Sequence, residues 1–156
     1  MEIKNKVIVS IRKFSLKDLS RIIEIERNSF TTDAFSENTF LSLYRKCSDL
    51  FIVAEISGII TGYMVTCNYW KKERVISIAV DPVYRHKGVG SALVNFTFNQ
   101  LRASCINTLE LEVRITNSEG ICFWKNLGFF TLKIVPNYYP DGASALIMRK
   151  LLESQV

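Results

Sequence analysis

A strand, a glycine-containing loop, a helix and a second strand follow one another in residues 74–114, and this order constrains the fold most. RVISIAV (74–80) is predicted to be a strand, which Asp81-Pro82 ends because proline cannot donate to a sheet ladder. Apolar residues then recur at helical spacing over about 88–104, and TLELEVR (108–114) alternates as another strand. A crossover of this kind is right-handed, so the two strands are predicted to be parallel.

The segments on both sides of this crossover predict further elements of the same layered domain. Strands are predicted at 7–13, 51–56, 59–70, 129–135 and 143–150, and helices from Ser15, from Asp33 or Ser36 to about Lys46, and from Asn117 to Leu127. Apart from the crossover pair, the strands are predicted to run mainly antiparallel. The predicted fold class is therefore α+β, with helices on both faces of a mixed sheet.

Length and charge narrow the class of protein. The 156 residues fit one domain with a sizeable core, and hydrophobic residues make up 48% of them. No apolar run approaches the roughly 20 residues that span a bilayer, and no signal-peptide pattern is present, so we predict a cytoplasmic protein without membrane attachment. The net charge of +5 is scattered, which argues against direct DNA binding but leaves the ribosome or a polyanionic cofactor open as partners.

Cysteine spacing gives no indication of a metal site. The four cysteines, Cys47, Cys67, Cys105 and Cys122, form no C-x-x-C pair, and His86 is the only histidine in the sequence. Neither a zinc site nor a disulfide framework is therefore expected, and no metal is predicted. We predict buried thiols in a reducing compartment instead.

The loop within YRHKGVGSALV (84–94) has the features of an anion-binding site. It precedes a helix whose first amides lack intrahelical partners and whose dipole adds about half a positive charge. Arg85 and Lys87 add cations, and glycine lets the backbone approach a phosphate closely. The third glycine of G-x-G-x-x-G and the GK[ST] of a P-loop are both absent, so the two familiar nucleotide loops fit poorly. A plain glycine-rich turn is the alternative.

R-x-x-G-x-G (85–90) resembles the acetyl-CoA pyrophosphate loop of the GNAT acetyltransferase superfamily, and LEVRITNSEGICFWKNLGF (111–129) is also typical of that family. IERNSFTTDAFSENTF (25–40) and NYYPDGASALIMRK (137–150) are similar to substrate-side segments of its protein N-terminal acetyltransferases, including the ribosomal-protein-alanine type. Together these segments cover nearly the whole chain. The resemblance implies a GNAT-like fold with one splayed parallel strand pair, and a single acetyltransferase domain over residues 1–156.

The same resemblance implies acetyl-CoA as the cofactor. The pantetheine arm is expected to lie between the splayed strands, and the amides of the glycine loop are expected to hold the pyrophosphate. The implied cofactor-binding residues are Ile78, Ala79, Val80, Arg85, His86, Lys87, Gly88, Val89, Gly90, Ser91, Asn117 and Trp124. For Asn117 the alternative is helix capping alone, and the two roles are compatible.

Direct attack of an amine on the thioester in a ternary complex requires a proton acceptor, an oxyanion donor and a proton for the departing thiolate. The resemblance implies Glu112 as the proton acceptor and a backbone amide near Val80 as the oxyanion donor. The alternative for Glu112 is a structural carboxylate paired with a cation. Glu24 and Glu26, on the first helix, are further candidates for the proton acceptor.

Trp124 departs from the family pattern, which usually has at this position a tyrosine that protonates the thiolate. An indole N–H is not a useful proton source at neutral pH. Tyr138 or Tyr139 acting through water is one alternative, and departure of an unprotonated thiolate is another. A weakened or inactive enzyme, and Trp124 as core packing, also remain open.

The predicted acceptor is the α-amine at a protein or peptide N-terminus. Its pKa is about 7.7–8.0 against about 10.4 for lysine, so roughly a tenth of it is already neutral at neutral pH. The implied substrate-binding residues are Phe30, Phe35, Glu24, Tyr138 and Tyr139. For the aromatic residues, above all Phe30, core packing is the alternative. The other functions left open are a GNAT acting on a small-molecule amine or lysine, and a non-catalytic CoA-binding or ribosome-associated protein.

Overall fold

The computed structural model describes residues 6–153, and the helices and strands within them occur in the predicted order. The ends of the predicted domain, 1–5 and 154–156, lie outside the described residues. The elements are β1 (Ser10–Lys13), α1 (Leu19–Ser29), α2 (Glu37–Lys46), β2 (Phe51–Ile56), β3 (Ile59–Tyr69), β4 (Lys72–Val80), α3 (Val89–Ala103), β5 (Thr108–Arg114), α4 (Ser118–Asn126), β6 (Phe130–Val135) and β7 (Ala145–Leu151).

The strands form one mixed sheet with the order β1-β2-β3-β4-β5-β7-β6. The crossover strands β4 and β5 pair in parallel through Arg74 and Glu110, whereas the pairs β1–β2, β2–β3, β5–β7 and β6–β7 are antiparallel. The predicted fold class and the parallel crossover pair are therefore confirmed.

The chain divides into two compact units, and strands β3 and β4 each contribute residues to both. The first unit contains the chain up to Thr66 together with Ser77–Thr97, and the second contains Cys67–Ile76 and the chain from Phe98 onward. This division separates the residues at the glycine loop from those on β5 and α4.

An aromatic cluster forms much of the core of the first unit. Phe14 stacks on Phe51 with ring centroids 4.1 Å apart, and Phe40 meets Tyr63 edge to face at 5.5 Å. The rings of Phe40, Phe51 and Tyr63 are fully or almost fully buried, as is Ile22 of α1. The Phe40 ring, which also lies 6.3 Å from Phe51, thereby fixes α2 against strands β2 and β3.

The core of the second unit packs on strand β5, which pairs with β7 along its whole length. Leu109 and Leu111 project from β5 into this core and are buried. Trp124 of α4 contacts Phe129 at a centroid distance of 5.0 Å, and Phe98 lies 6.0 Å from the same ring. The alternating pattern of TLELEVR thus becomes one apolar and one charged face, as a strand requires.

The first strand and the first α-helix begin three or more residues later than predicted. Strand β1 begins at Ser10 rather than at residue 7, and the predicted helix from Ser15 starts as a 3-10 turn over Leu16–Asp18 before α1 begins at Leu19. The turn is held by Asp18, which accepts a hydrogen bond from the Ser15 backbone at 2.9 Å and two from Arg12 at 2.8 and 2.9 Å. This acceptor from three residues ahead in the chain explains why Ser15 still marks the start of helical structure.

The Arg12–Asp18 pair predicts a dependence of stability on acid. Hydrogen bonds from Arg12 hold the pKa of Asp18 below its ordinary value, although burial opposes them. The Asp18 carboxylate therefore binds a proton less readily in the folded state than in the unfolded chain. The stability that the ionised carboxylate contributes is lost as pH falls through the lowered pKa. We expect the free energy of unfolding to decrease between about pH 5 and pH 2, measured by urea denaturation.

Replacing Asp18 by Asn is expected to lower the free energy of unfolding at pH 7 by about 2 kcal/mol and to flatten its decrease in acid. Asp49→Asn is the matched control, because Asp49 is exposed. If both variants show the same acid slope, another carboxylate is responsible for it.

The cysteine prediction was wrong. Cys105 and Cys122 are free but exposed rather than buried, and Cys47 and Cys67 each belong to a disulfide instead of being free thiols. None of the helices within residues 6–153 has the length and apolar character needed to cross a membrane.

Candidate active site

The loop between β4 and α3 presents backbone amides at a helix N-terminus. Ala92 donates to the Gly88 carbonyl at 3.0 Å, so α3 begins directly after Gly88. The amides of Val89, Gly90 and Ser91 lie in the first helical turn, where no intrahelical acceptor exists for them. The backbone reverses before this turn, with positive φ angles at His86 (61°) and Gly88 (81°). Such a turn leaves a concave row of N–H groups that suits a phosphate.

Charged side chains surround these amides. Arg85, His86 and Lys87 are exposed, and the Arg85 Nε donates to the Val80 carbonyl at 3.3 Å. Lys87 Nζ lies 5.9 Å from the centre of the Tyr84 ring. These exposed cations lie beside first-turn amides that have no intrahelical acceptor, and the helix that follows has 15 residues. Such an arrangement fits a pyrophosphate group.

Asp81 anchors the start of this loop. Its backbone amide donates to Thr61 at 2.8 Å, and its carboxylate accepts from the Val83 amide at 3.0 Å and from Arg21 at 2.5 Å. Burial alone would raise the pKa of Asp81, but the hydrogen bonds from Arg21 and Val83 outweigh it and lower the pKa. Arg21 also donates to the Ile60 carbonyl at 3.1 Å, so α1 and β3 are tied to the loop through a single guanidinium. No pattern in the sequence indicates this pairing.

Gly62 lets the end of β4 and the start of α3 approach strand β3 closely. A Cβ atom at this position would lie 2.9 Å from the Ala79 carbonyl, 3.2 Å from the Val89 side chain and 3.4 Å from that of Leu93. Ala79 and Val89 are both among the predicted cofactor-binding residues. Gly62 was missed as a functional residue, although an isolated glycine within a strand is a sign of close backbone approach.

The predicted substrate-side residues of the first unit lie on α1 and in the loop that follows it. Glu24 is exposed on α1 and pairs with Arg21 at 3.2 Å. Phe30 and Phe35 are half-buried at the two ends of the 30–36 loop, and the Phe35 ring meets Phe40 edge to face at 5.9 Å. Ser36 caps α2 by accepting from the Thr39 amide at 3.2 Å, so of the two predicted caps Ser36 is the one used.

Glu26, the other candidate on α1, is buried with 1% of its surface exposed. Its carboxylate accepts a hydrogen bond from the Phe35 amide at 3.0 Å and another from the Tyr63 hydroxyl. The Tyr63 hydroxyl in turn lies 2.8 Å from the Ser77 hydroxyl on β4. Burial raises the pKa of Glu26, although the hydrogen bonds from Tyr63 and Phe35 oppose the rise.

Glu112 of β5 forms an ion pair with Arg74 of β4 within the second unit. Two residues earlier on the same strand, Glu110 is buried and pairs with Arg149 of β7 at 2.7 Å. The charged face of β5 is thus a row of carboxylates, each held by an arginine on a neighbouring strand. Glu112 therefore has the cationic partner expected of a structural carboxylate. The same ion pair with Arg74 also fixes the position of its carboxylate.

Asn117 caps α4, because its side-chain oxygen accepts from the Gly120 amide at 2.9 Å. The predicted capping role is therefore confirmed, and the cofactor role stays a prediction. Trp124 is 5% exposed and packs between Phe123 and Phe129, at centroid distances of 4.9 and 5.0 Å. These contacts give Trp124 the core-packing role that was its alternative, and its cofactor contact also stays a prediction.

The loop between β6 and β7 carries Tyr138 and Tyr139. Tyr138 is 44% exposed and meets the half-buried Tyr139 edge to face at 5.0 Å. Arg114, at the end of β5, lies 4.1 Å from the Tyr139 ring centre and pairs with Asp141 at 2.9 Å. Arg114 thereby fastens this tyrosine loop to the strand that bears Glu112.

Comparison with known proteins decides the family. A model described as "Acetyltransferase (GNAT) family" matches residues 18–129, which includes the glycine loop, β5 and α4. The chain belongs to the GNAT acetyltransferase family. It is thus an acetyltransferase, and structures of GNAT enzymes bind acetyl-CoA or coenzyme A, the cofactor predicted from the sequence.

Individual relatives of this GNAT protein match along most of their length. It is 38% identical to an uncharacterized N-acetyltransferase of Methanocaldococcus jannaschii, over 90% of each chain. It is 33% identical to an N-alpha-acetyltransferase of Sulfurisphaera tokodaii, over 88% of this chain and 90% of the relative. The crystal structure of the ribosomal-protein-S18-alanine N-acetyltransferase from Escherichia coli superposes with a TM-score of 0.83 at 29% identity, over 96% of each chain.

Proposed function

We propose that this protein transfers the acetyl group of acetyl-CoA to the α-amine at the N-terminus of a protein. The observation that carries the proposal is the loop 85–91, whose exposed cations and first-turn amides suit a pyrophosphate. The choice of an α-amine is supported by the relative named N-alpha-acetyltransferase. The family match runs through both compact units, which supports a single acetyltransferase domain over residues 1–156.

Residues of the first unit are assigned to the cofactor. Amides of Lys87–Ser91 and the Arg85 side chain bind the pyrophosphate, and backbone groups of Ile78 and Val80 hold the pantetheine arm. The Val80 amide is the proposed donor to the oxyanion. When bound, acetyl-CoA supplies the acetyl group as a thioester. The fit rests on the exposed loop and on the close approach of β4 and α3 to β3 that Gly62 permits.

Glu112 is assigned as the acceptor of the amine proton. Arg74 holds this carboxylate in a fixed position through an ion pair. An α-amine suits such a base, because about a tenth of it is neutral at neutral pH whereas lysine is almost wholly protonated. Tyr139, or Tyr138, is assigned to deliver a proton through water to the departing thiolate.

The acceptor side is assigned to two loops. Phe30 and Phe35, with Glu24, are the proposed acceptor contacts of the first unit, and Tyr138 and Tyr139 are those of the second. The N-terminus of a ribosomal protein is one candidate acceptor, since the Escherichia coli relative is named a ribosomal-protein-S18-alanine N-acetyltransferase.

A matched pair of peptides tests the proposed function. One peptide starts with a free alanine and contains an internal lysine, and the other has the same sequence with a blocked N-terminus. After incubation with acetyl-CoA, mass spectrometry is expected to find one acetyl group, on the α-amine of the first peptide. Acetylation of lysine in the blocked peptide, with none at the free α-amine, contradicts the proposal. Binding of CoA without turnover on any amine indicates the non-catalytic alternative.

A further inference from the structure

Glu26 is a carboxylate whose burial needs a physical reason. It is 1% exposed, and among residues 6–153 it has no basic partner, in contrast to Glu24 two residues earlier, which pairs with Arg21. A buried carboxylate without a cation is costly and persists where hydrogen bonds compensate it. The compensating donors of Glu26 are the Phe35 amide and the Tyr63 hydroxyl.

The direction of these hydrogen bonds is determined by the chemistry of the groups. An ionised carboxylate only accepts, so the single hydroxyl proton of Tyr63 is directed to Glu26. The bond between Tyr63 and Ser77, at 2.8 Å, must then be donated by Ser77. The result is a continuous chain from Ser77 to Tyr63 to Glu26, which receives a second bond from Phe35.

This chain joins four segments of the first unit. Glu26 belongs to α1, Phe35 to the 30–36 loop, Tyr63 to β3 and Ser77 to β4. Ser77 directly precedes Ile78, the first residue proposed to hold the pantetheine arm. Apolar contacts run alongside, because the Phe35 ring lies 5.9 Å from Phe40 and Phe40 lies 5.5 Å from Tyr63. The loop proposed to contact the acceptor is therefore linked, through one carboxylate, to the strand proposed to contact the cofactor.

We propose that Glu26 is a positioning residue that sets the 30–36 loop at the distance from β4 at which the acceptor binds. This inference deepens the proposed function and rests on it for the identity of the acceptor. Glu26 acts through the Phe35 backbone and not on the reacting atoms. Its loss therefore weakens acceptor binding while cofactor binding and the chemical step persist.

The test compares replacements that differ in hydrogen-bonding capacity. Glu26→Leu removes both acceptor oxygens at similar volume, and Glu26→Gln restores one oxygen that can accept from Phe35. Because Glu26→Leu leaves the buried Tyr63 hydroxyl without its acceptor, Glu26→Leu combined with Tyr63→Phe removes both partners and protects the fold. Glu37→Leu is the control, since Glu37 is an exposed glutamate at the start of α2.

Two readouts are expected to change together. In Glu26→Leu, with or without Tyr63→Phe, hydrogen exchange of the Phe35 amide followed by NMR is expected to accelerate at least tenfold. The KM for the acceptor peptide is expected to rise about tenfold, with kcat and the Kd for CoA within threefold of wild type. Glu26→Gln is expected to bring Phe35 exchange and peptide KM most of the way back to the wild-type values. Glu37→Leu is expected to change neither.

Three results overturn this inference. The first is that Phe35 exchange and peptide KM are both unchanged in Glu26→Leu. The second is a loss of CoA affinity as large as the rise in peptide KM. The third is a large fall in kcat that Glu26→Gln does not restore. The last result assigns Glu26 as the proton acceptor instead. If wild-type protein acetylates no peptide, the proposed function fails, and the exchange measurement on the free protein still decides whether Glu26 holds the loop.

Discussion

Replacing Glu112 by Gln is expected to lower kcat for peptide acetylation by about 10²–10³-fold, because a positioned general base contributes on this scale. Gln keeps the shape of the side chain but cannot take the amine proton. The KM for the peptide and the Kd for CoA are expected to change little, since the proposed role lies in the chemical step. Steady-state kinetics over pH 6–9 measures this, and the fall in kcat relative to wild type is expected at every pH in this range.

The chain offers a control for the structural role of Glu112. Glu110 lies two residues earlier on β5 and is held by Arg149 as Glu112 is held by Arg74. Glu110→Gln therefore removes a comparable ion pair, and we expect it to lower the melting temperature without lowering kcat. If Glu112→Gln behaves in the same way, with kcat within threefold of wild type, Glu112 is a structural carboxylate and not the base.

Replacing Gly62 by Ala is expected to weaken CoA binding by about thirtyfold. The new Cβ would lie 2.9 Å from the Ala79 carbonyl, so the end of β4 must move away from β3. Overpacking of this kind costs about 1–3 kcal/mol, and 2 kcal/mol corresponds to about thirtyfold in affinity if the displaced groups bind the cofactor. Isothermal titration with CoA measures the change.

Gly58→Ala is the matched control for Gly62→Ala. Gly58 lies in the turn between β2 and β3, where a Cβ meets nothing within 4 Å but the φ angle of 78° is strained for alanine. This variant is expected to lose about 1 kcal/mol of stability and to bind CoA as the wild type does. Equal losses of CoA affinity in the two variants mean that general destabilisation, and not a displacement of β4 and α3 from β3, causes them.

Local patterns in the sequence predicted the helices and strands well, because the residues that form each pattern lie within a few positions of one another. Asn117 caps α4 and Ser36 caps α2 through bonds to amides three residues ahead. The alternation of TLELEVR predicted β5 at its observed bounds. The predicted helical start at Ser15 was also confirmed, since the bond from its amide to Asp18 spans only three residues, although the first turn is a 3-10 turn.

The sequence by itself determined the order of elements, the parallel crossover and the position of a glycine-containing loop before α3, since these depend on periodicity, capping and glycine placement along the chain. Only the tertiary structure decided what supports that loop. The bond from Arg21 to Asp81 spans 60 residues, and the bond from Tyr63 to Glu26 spans 37. Carboxylates such as Glu24 and Glu26 look alike in the sequence. Burial distinguishes them, and burial depends on which distant segments the fold packs together.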